Sequence, residues 1–157
     1  MRRVILDTDP GQDDAFAILL AVASPEDIEL QALTTAAGNV TVDKTTRNAL
    51  RLLELAGAPQ IPVYRGCSRP MVNELFTAEY VHGVTGLDGP DLPEPRSVAA
   101  SLHAVDYLIT GLTAAGPRSV TVCLIGPMTN MAMALVMEPG IADRIDEFVI
   151  MGGSFHA

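Results

Sequence analysis

The stretch Val4 to Ala15, VILDTDPGQDDA, gathers four carboxylates, Asp7, Asp9, Asp13 and Asp14, around a Pro10-Gly11 turn. Carboxylates crowded this closely repel one another, so one must take up a proton or the group must share a cation. An Asp ahead of a helix can serve as its N-cap. A second acid in the first turn gains roughly 0.3–1 kcal/mol from the helix dipole. Those structural uses account for two acids and leave two. A hard cation with oxygen ligands, Ca2+ or Mg2+, fits the remainder. No Cys or His lies near in sequence for zinc. An EF-hand loop is excluded: Gly11 stands at its fifth position and Ile18 at its twelfth, where Asp or Asn and then Glu are required.

The elements that must position these acids are legible on either side of them. Val4-Ile5-Leu6 is a short apolar run of the kind a buried parallel strand shows. Ala15, Ile18, Leu19 and Val22 then recur at helical spacing. The acids therefore sit where a strand ends and a helix begins, the edge at which open α/β sheets bind ligands. Ile28 to Thr35 reads as a second strand, closing in Ala36-Ala37-Gly38-Asn39 at the same edge. Asn39 is either a turn residue tolerating left-handed φ or a polar contact to a ligand.

Thr41 is placed to cap a helix whose apolar face is Thr45, Ala49, Leu52, Leu53 and Ala56, stopped by Gly57 and Pro59. Lys44, Arg47, Arg51 and Glu54 fall on its other faces and read as a solvated surface. Ile61 to Tyr64 is a third strand, with Pro62 at its start or on a sheet edge. Residues 66–95 lose all periodicity and are rich in Gly and Pro, which marks a binding loop or lid. His82 lies in it, and Asp88 reads as a loop-ordering residue. A helix is expected from Ser97, with Val98, Leu102, Val105, Ile109 and Leu112 buried and His103 on the surface. Val120 to Ile125 is a fourth strand, Pro127 suits the first position of the next helix, and Thr129-Asn130 open it as cap or site residues. Met128, Met131, Met133 and Met137 read as adaptable core packing. Phe148 to Met151 is a fifth strand, turning at Gly152-Gly153-Ser154. Strands alternating with helices predict a doubly wound α/β fold.

The bulk properties agree. At 157 residues, with 48% hydrophobic content and a mean hydropathy of +0.28, the chain suits one domain whose sheet is covered on both faces. A net charge of −9 without a basic stripe argues against nucleic-acid binding. No apolar run reaches the ~18 residues of a membrane span. Met1-Arg2-Arg3 leads straight into a strand without a signal-peptide core, so a cytoplasmic setting is expected. Cys67 and Cys123 lack CxxC spacing and read as free thiols.

DTDPGQDDA resembles the N-terminal signature of the inosine-uridine nucleoside hydrolases, calcium-dependent enzymes that cleave the N-glycosidic bond of ribonucleosides. Further stretches agree in order: TTAAGN at 34–39, HGVTGLDG at 82–89, GPMTNMAMAL at 126–135 and VIMGGSFH at 149–156. The resemblance runs the whole chain and covers about the first half of such an enzyme. It implies a mostly parallel sheet with helices on both faces over 1–157, with 66–95 as an active-site loop. It also implies Asp9, Asp14 and the Ile125 main-chain carbonyl as calcium ligands, and Asp13 as the base activating a calcium-bound water. Asp7 would order the ligand loop, Asn39 and Met151 would face the ribose, and His82 would lie near the nucleobase. The implied substrate is a ribonucleoside and the complete enzyme a homo-oligomer, with purine or pyrimidine preference open. The later Asn, Glu and His-Asp residues of such enzymes lie beyond the stretch that matches, so the chain alone is expected to turn over slowly.

Two other readings compete. A haloacid dehalogenase-type phosphotransferase also begins with a strand and Asp-x-Asp, with Asp7 as nucleophile, Asp9 as acid and Mg2+ as cofactor. A calcium-binding half-domain without turnover is the second.

Overall fold

The computed structural model describes residues 1–153. Five strands form one parallel sheet in the order β3-β2-β1-β4-β5. They are β1 (Arg2–Thr8), β2 (Ile28–Thr35), β3 (Val63–Arg65), β4 (Val120–Leu124) and β5 (Ile145–Ile150). The helices are α1 (Gln12–Ala23), α2 (Val42–Leu55), α3 (Glu79–His82), α4 (Ala104–Ala114) and α5 (Thr129–Met137). A 3₁₀ turn at Pro139–Arg144 leads into β5. The sheet grows from β1 out to β3, then restarts with β4 on β1's other side. That reversal opens a crevice at the carboxyl ends of β1 and β4.

Strand β1 is central because its side chains alternate between two apolar layers. Ile5 packs with Leu108 and Leu112 of α4 and Met131 of α5. Leu6, on the other face, packs with Ile18 of α1 and Leu52 and Leu53 of α2. Burial on both faces is the reason the strand reads as an unbroken apolar run. Helix α2 buries Thr45, Ala49, Leu52 and Leu53 as its spacing requires. It ends at Gly57, whose φ of 71° lets its N–H return to the Glu54 carbonyl. Thr41 occupies the N-cap position but makes no side-chain bond there.

Several expectations are corrected. The helix read from Ser97 begins at Ala104. Glu54 draws in the Arg96 amide and both the amide and hydroxyl of Ser97, and Ala100 bonds Val63 along the edge of β3. Residues 96–103 are thus held outside a helix, which leaves Val98 85% exposed. His103 is the N-cap of α4, its Nδ1 accepting from the Val105 amide. The third strand starts at Val63, after Pro62, and is a sheet edge. Pro127 lies one residue outside the N-cap of α5, which is Met128. Of the four methionines read as core, Met131 is buried, whereas Met128 and Met137 are exposed.

The charged face of α2 is a clamp. Lys44 bonds Glu79 and the Val84 carbonyl. Arg47 and Arg51 grip Glu94, and Arg51 also reaches the Pro93 carbonyl. Periodicity is blind to these contacts because their partners are irregular. Ser154, the last residue of the expected turn after β5, lies outside the described residues. Among the described residues no helix is long and apolar enough to cross a membrane.

Leu53 and Leu55 provide a contrast on one helix, since the first is 1% exposed and the second 60%. Leu53→Ala is expected to cost about 2–5 kcal/mol in a denaturant titration. Leu55→Ala is expected to stay within roughly 0.5 kcal/mol of wild type.

Candidate active site

The four acids separate into different environments. Asp7, on β1, is wholly buried. Its Oδ2 accepts from the Thr34 hydroxyl at 2.5 Å and from Asn130 Nδ2 at 2.9 Å, while Oδ1 has no partner among the described residues. Asp9 follows the strand, and its Oδ2 accepts from the Asn39 amide at 2.7 Å. Asp14 lies in the first turn of α1, where Oδ1 takes the Thr8 hydroxyl at 2.6 Å and Oδ2 takes the Gly11 amide at 3.1 Å. The N-cap of α1 is Gly11, not an Asp, and Asp14 reaches back to it from the third helical position.

Asn39 draws the group together. Its Nδ2 donates to the Asp9 carbonyl at 3.0 Å and to Asp14 Oδ2 at 3.2 Å. Glycines make the approach possible. A Cβ at Gly38 would overlap the Asp9 carboxylate, and one at Gly126 would lie 2.5 Å from Asp9 Oδ1. The Ile125 and Gly126 amides both point to the Asp7 carbonyl, at 2.9 and 3.4 Å. The Ile125–Gly126 peptide therefore lies against the Asp7–Asp9 main chain.

Asp13 is exposed on α1, beside the buried acids. His82 ends the short helix α3 and packs over Gly11, with its Nδ1 accepting from the Gln12 amide at 3.4 Å. In the neutral ring this leaves the proton on Nε2. Met151 lies just past β5, 57% exposed, with its amide bonded to the Leu124 carbonyl. The structure thus brings Asp7, Asp9, Asp14, Asn39, His82 and the Ile125 main chain to one edge. Met151 lies at the same edge of the sheet on the next strand but one.

Parts of the 66–95 segment are anchored beside the acids. Asn48 of α2 donates to the Pro10 carbonyl at 3.1 Å and to the Thr85 carbonyl at 2.8 Å. Gln12 reaches the Asp88 carbonyl. Asp88 orders its loop as expected, and its carboxyl is held below the usual range by the Thr85 hydroxyl and by the Thr85 and Val84 amides. A cavity of about 680 Å³ lies elsewhere, between the end of α2 and residues 92–97. Its Arg51, Glu54 and Glu94 are already occupied by the clamp.

Burial dominates the electrostatics. It raises the Asp7 carboxyl to about 6, against the lowering effect of Thr34 and Asn130. Burial first, and the Asp14 charge second, raise Asp9 to about 7. Asp14 is raised as well, chiefly by burial and further by Asp13, despite its bonds to Thr8 and Gly11. No Lys or Arg pairs with any of the four acids among the described residues. Buried charge of one sign without a counter-charge is unfavourable. The orphaned Asp7 oxygen and the raised Asp9 and Asp14 carboxyls fit a cation at this edge, and an all-oxygen donor set suits a hard one. The available donors are two carboxylates and main-chain oxygens, since no three acidic, His or Cys side chains converge for a metal among the described residues.

Residues 4–157 match the family described as inosine-uridine preferring nucleoside hydrolase. The chain belongs to that family. It is 48% identical over 156 residues to the pyrimidine-specific ribonucleoside hydrolase RihA of Photobacterium profundum, covering 99% of this chain and 50% of that one. It is 43% identical to the inosine-uridine preferring nucleoside hydrolase of Crithidia fasciculata, covering 99% of this chain and 49% of that one. The solved purine-preferring ribonucleoside hydrolase from Gardnerella vaginalis superimposes with a TM-score of 0.90 at 36% identity, covering 98% of this chain and 49% of that one. The chain spans about half the length of the relatives it matches. Family membership removes the phosphotransferase reading, and the geometry concurs. Asp7 is sealed between Thr34 and Asn130 and is not placed as a nucleophile.

Sequence reasoning missed Thr8, Thr34 and Asn48, and left Asn130 undecided between cap and site. Thr8 stands inside the Asp motif and was open to recognition as a local donor. Thr34 and Asn48 become site residues only through cross-strand and helix contacts.

A carboxyl whose folded pKa is raised contributes stability that is full below its unfolded pKa, near 3.8, and is lost as pH rises through the folded value. The metal-free chain is therefore expected to lose stability between about pH 4 and pH 7, on the order of 3 kcal/mol from Asp7 alone. Urea titrations in chelator check this, and an unchanged midpoint would contradict the assigned burial.

Proposed function

We propose that this chain carries the cation- and ribose-binding edge of a calcium-dependent ribonucleoside hydrolase, which breaks the N-glycosidic bond to give ribose and a free nucleobase. The observation that carries this reading is the convergence of Asp9, Asp14 and Asn39 at the end of β1 with no cationic side chain among the described residues to neutralise them. Relatives named for pyrimidine, inosine-uridine and purine substrates match this same stretch. The stretch therefore supports a ribosyl substrate without selecting a base.

Asp9 and Asp14 would hold the cation together with the Ile125 main-chain carbonyl. A bound calcium ion would make water more acidic and offer coordination to vicinal hydroxyls. Asp13, exposed at the first turn of α1, is free to take a proton from water attacking the anomeric carbon. The carbon–nitrogen bond breaks as positive charge develops on the sugar, by analogy with inverting glycosidases. His82, with Nδ1 occupied by the Gln12 amide, turns Nε2–H to the departing base. Asn39 fixes the acids and faces the ribose, and Met151 packs against the sugar. Residues 66–95 close over the substrate. A reducing, cytoplasmic setting accords with the free thiols Cys67 and Cys123, and a homo-oligomer completes the proposal.

A second reading, calcium binding without turnover, is favoured by the exposed apolar residues Phe148, Val149 and Ile150 on β5. Parallel strands are ordinarily covered on both faces, so this side is unfinished in the chain as described.

Base release from inosine and uridine, with calcium and with chelator, tests the first reading. In a full-length protein that carries this stretch, Asp13→Asn is expected to lower the rate ~10²–10⁴-fold, and release there indifferent to both chelator and Asp13→Asn would sink it. Calorimetry tests the ligand set that both readings share: Asp9→Ala and Asp14→Ala are expected to abolish calcium binding, whereas Asp13→Ala spares much of it. Hydrogen exchange is expected to slow within 66–95 when a ribonucleoside binds, and unchanged exchange would remove the lid assignment.

A further inference from the structure

We infer that Asn130 is a positioning residue for the cation site and acts through Asp7. The inference deepens the function proposed above and rests on it.

Asn130 is the second residue of α5 and is wholly buried. Its Nδ2 donates to Asp7 Oδ2 at 2.9 Å and to the Thr35 carbonyl at 3.0 Å. Its Oδ1 accepts from the Cys67 amide at 2.8 Å. One side chain thus ties the central strand, the end of β2 and the turn after β3 to the start of α5. Two donors and one acceptor at this size are what a primary amide supplies. An Asp here would set a carboxylate against Asp7, and an apolar residue would take a partner from the Asp7 carboxylate, the Thr35 carbonyl and the Cys67 amide. The bonding also fixes the amide's orientation, since the flipped form would aim its oxygen at two acceptors.

Asp7 depends on that bond. It has two side-chain donors, Thr34 and Asn130, and both act on Oδ2. Its main-chain oxygen holds the Ile125 and Gly126 amides, and Gly126 abuts Asp9. A displaced Asp7 would carry the Ile125 carbonyl and Asp9 out of register together. Gly66 is the complement of this design: a Cβ there would overlap Asn130 Oδ1 and the Thr35 carbonyl. Among the described residues Asn130 makes no hydrogen bond to Asp9 or Asp13, so its influence runs through Asp7.

The test is calcium affinity by calorimetry, with thermal midpoints of the metal-free proteins measured beside it. Asn130→Ala and Gly66→Ala are each expected to weaken calcium binding ~10–100-fold, the range for partners that orient metal ligands, at temperatures where circular dichroism shows them folded. In an Asp7→Asn background, Asn130→Ala is expected to add no further loss, which is the signature of action through Asp7. If Asn130→Ala does not fold, Asn130→Ser replaces it, since it is neutral and keeps a polar group at the position without the amide's reach. A lowered midpoint with wild-type calcium affinity would overturn the inference and leave Asn130 as packing alone. An undiminished loss in the Asp7→Asn background would overturn the route through Asp7. Absence of calcium binding by the wild-type chain would instead refute the underlying function, and the inference with it.

Discussion

Three carboxylates are withdrawn from water at the end of β1 with no positive side chain among the described residues to receive them, and the neighbouring structure is arranged around that cost. Asp7, Asp9 and Asp14 are each supplied with neutral donors: Thr34 and Asn130, the Asn39 amide, and Thr8 with Gly11. Such donors offset part of the desolvation and none of the mutual repulsion. The raised carboxyls of all three record the remainder. A cation placed here would therefore meet an electrostatic deficit already built into the fold, which is a general route to tight metal binding.

The sheet topology supplies the place. Because β4 returns beside β1 and not beside β3, the Ile125–Gly126 turn is brought against Asp7 and Asp9. Helix α2 contributes from the other direction. Its Asn48 joins the Pro10 turn to Thr85, and Lys44 and Arg51 secure the irregular chain that carries His82. Surface ion pairs of this kind add little to global stability. Their consequence is positional, since they set where a glycine-rich segment can lie relative to the acids.

The relatives add a functional division to this picture. Proteins named for different nucleobases share the stretch that holds the acids, and this chain spans about half of their length. Phe148, Val149 and Ile150 stand exposed on the outermost strand next to β4, so the sheet's two sides are unequally finished. The side toward β3 is closed by α2 and residues 96–100, while the side toward β5 is bare.

The primary sequence determined a good deal by itself. Apolar runs and helical spacing located all five strands to within a few residues, together with the α1 and α2 faces, because buried strands and amphipathic helices leave different patterns. The acids, Asn39 and His82 were legible from residue type and motif. What tertiary structure alone decided was how each acid behaves. Four similar Asp residues became one sealed, two buried and one exposed, according to which strand or helix turn packed against them. Asn130 and Thr34 became supports of Asp7 through contacts across 123 and 27 positions of chain. The start of α4 moved from Ser97 to Ala104 because Glu54, on a distant helix, offered Ser97 better hydrogen bonds than a helical turn would. Local pattern reports which face a residue turns inward. Only the folded chain determines which donors and charges meet it there.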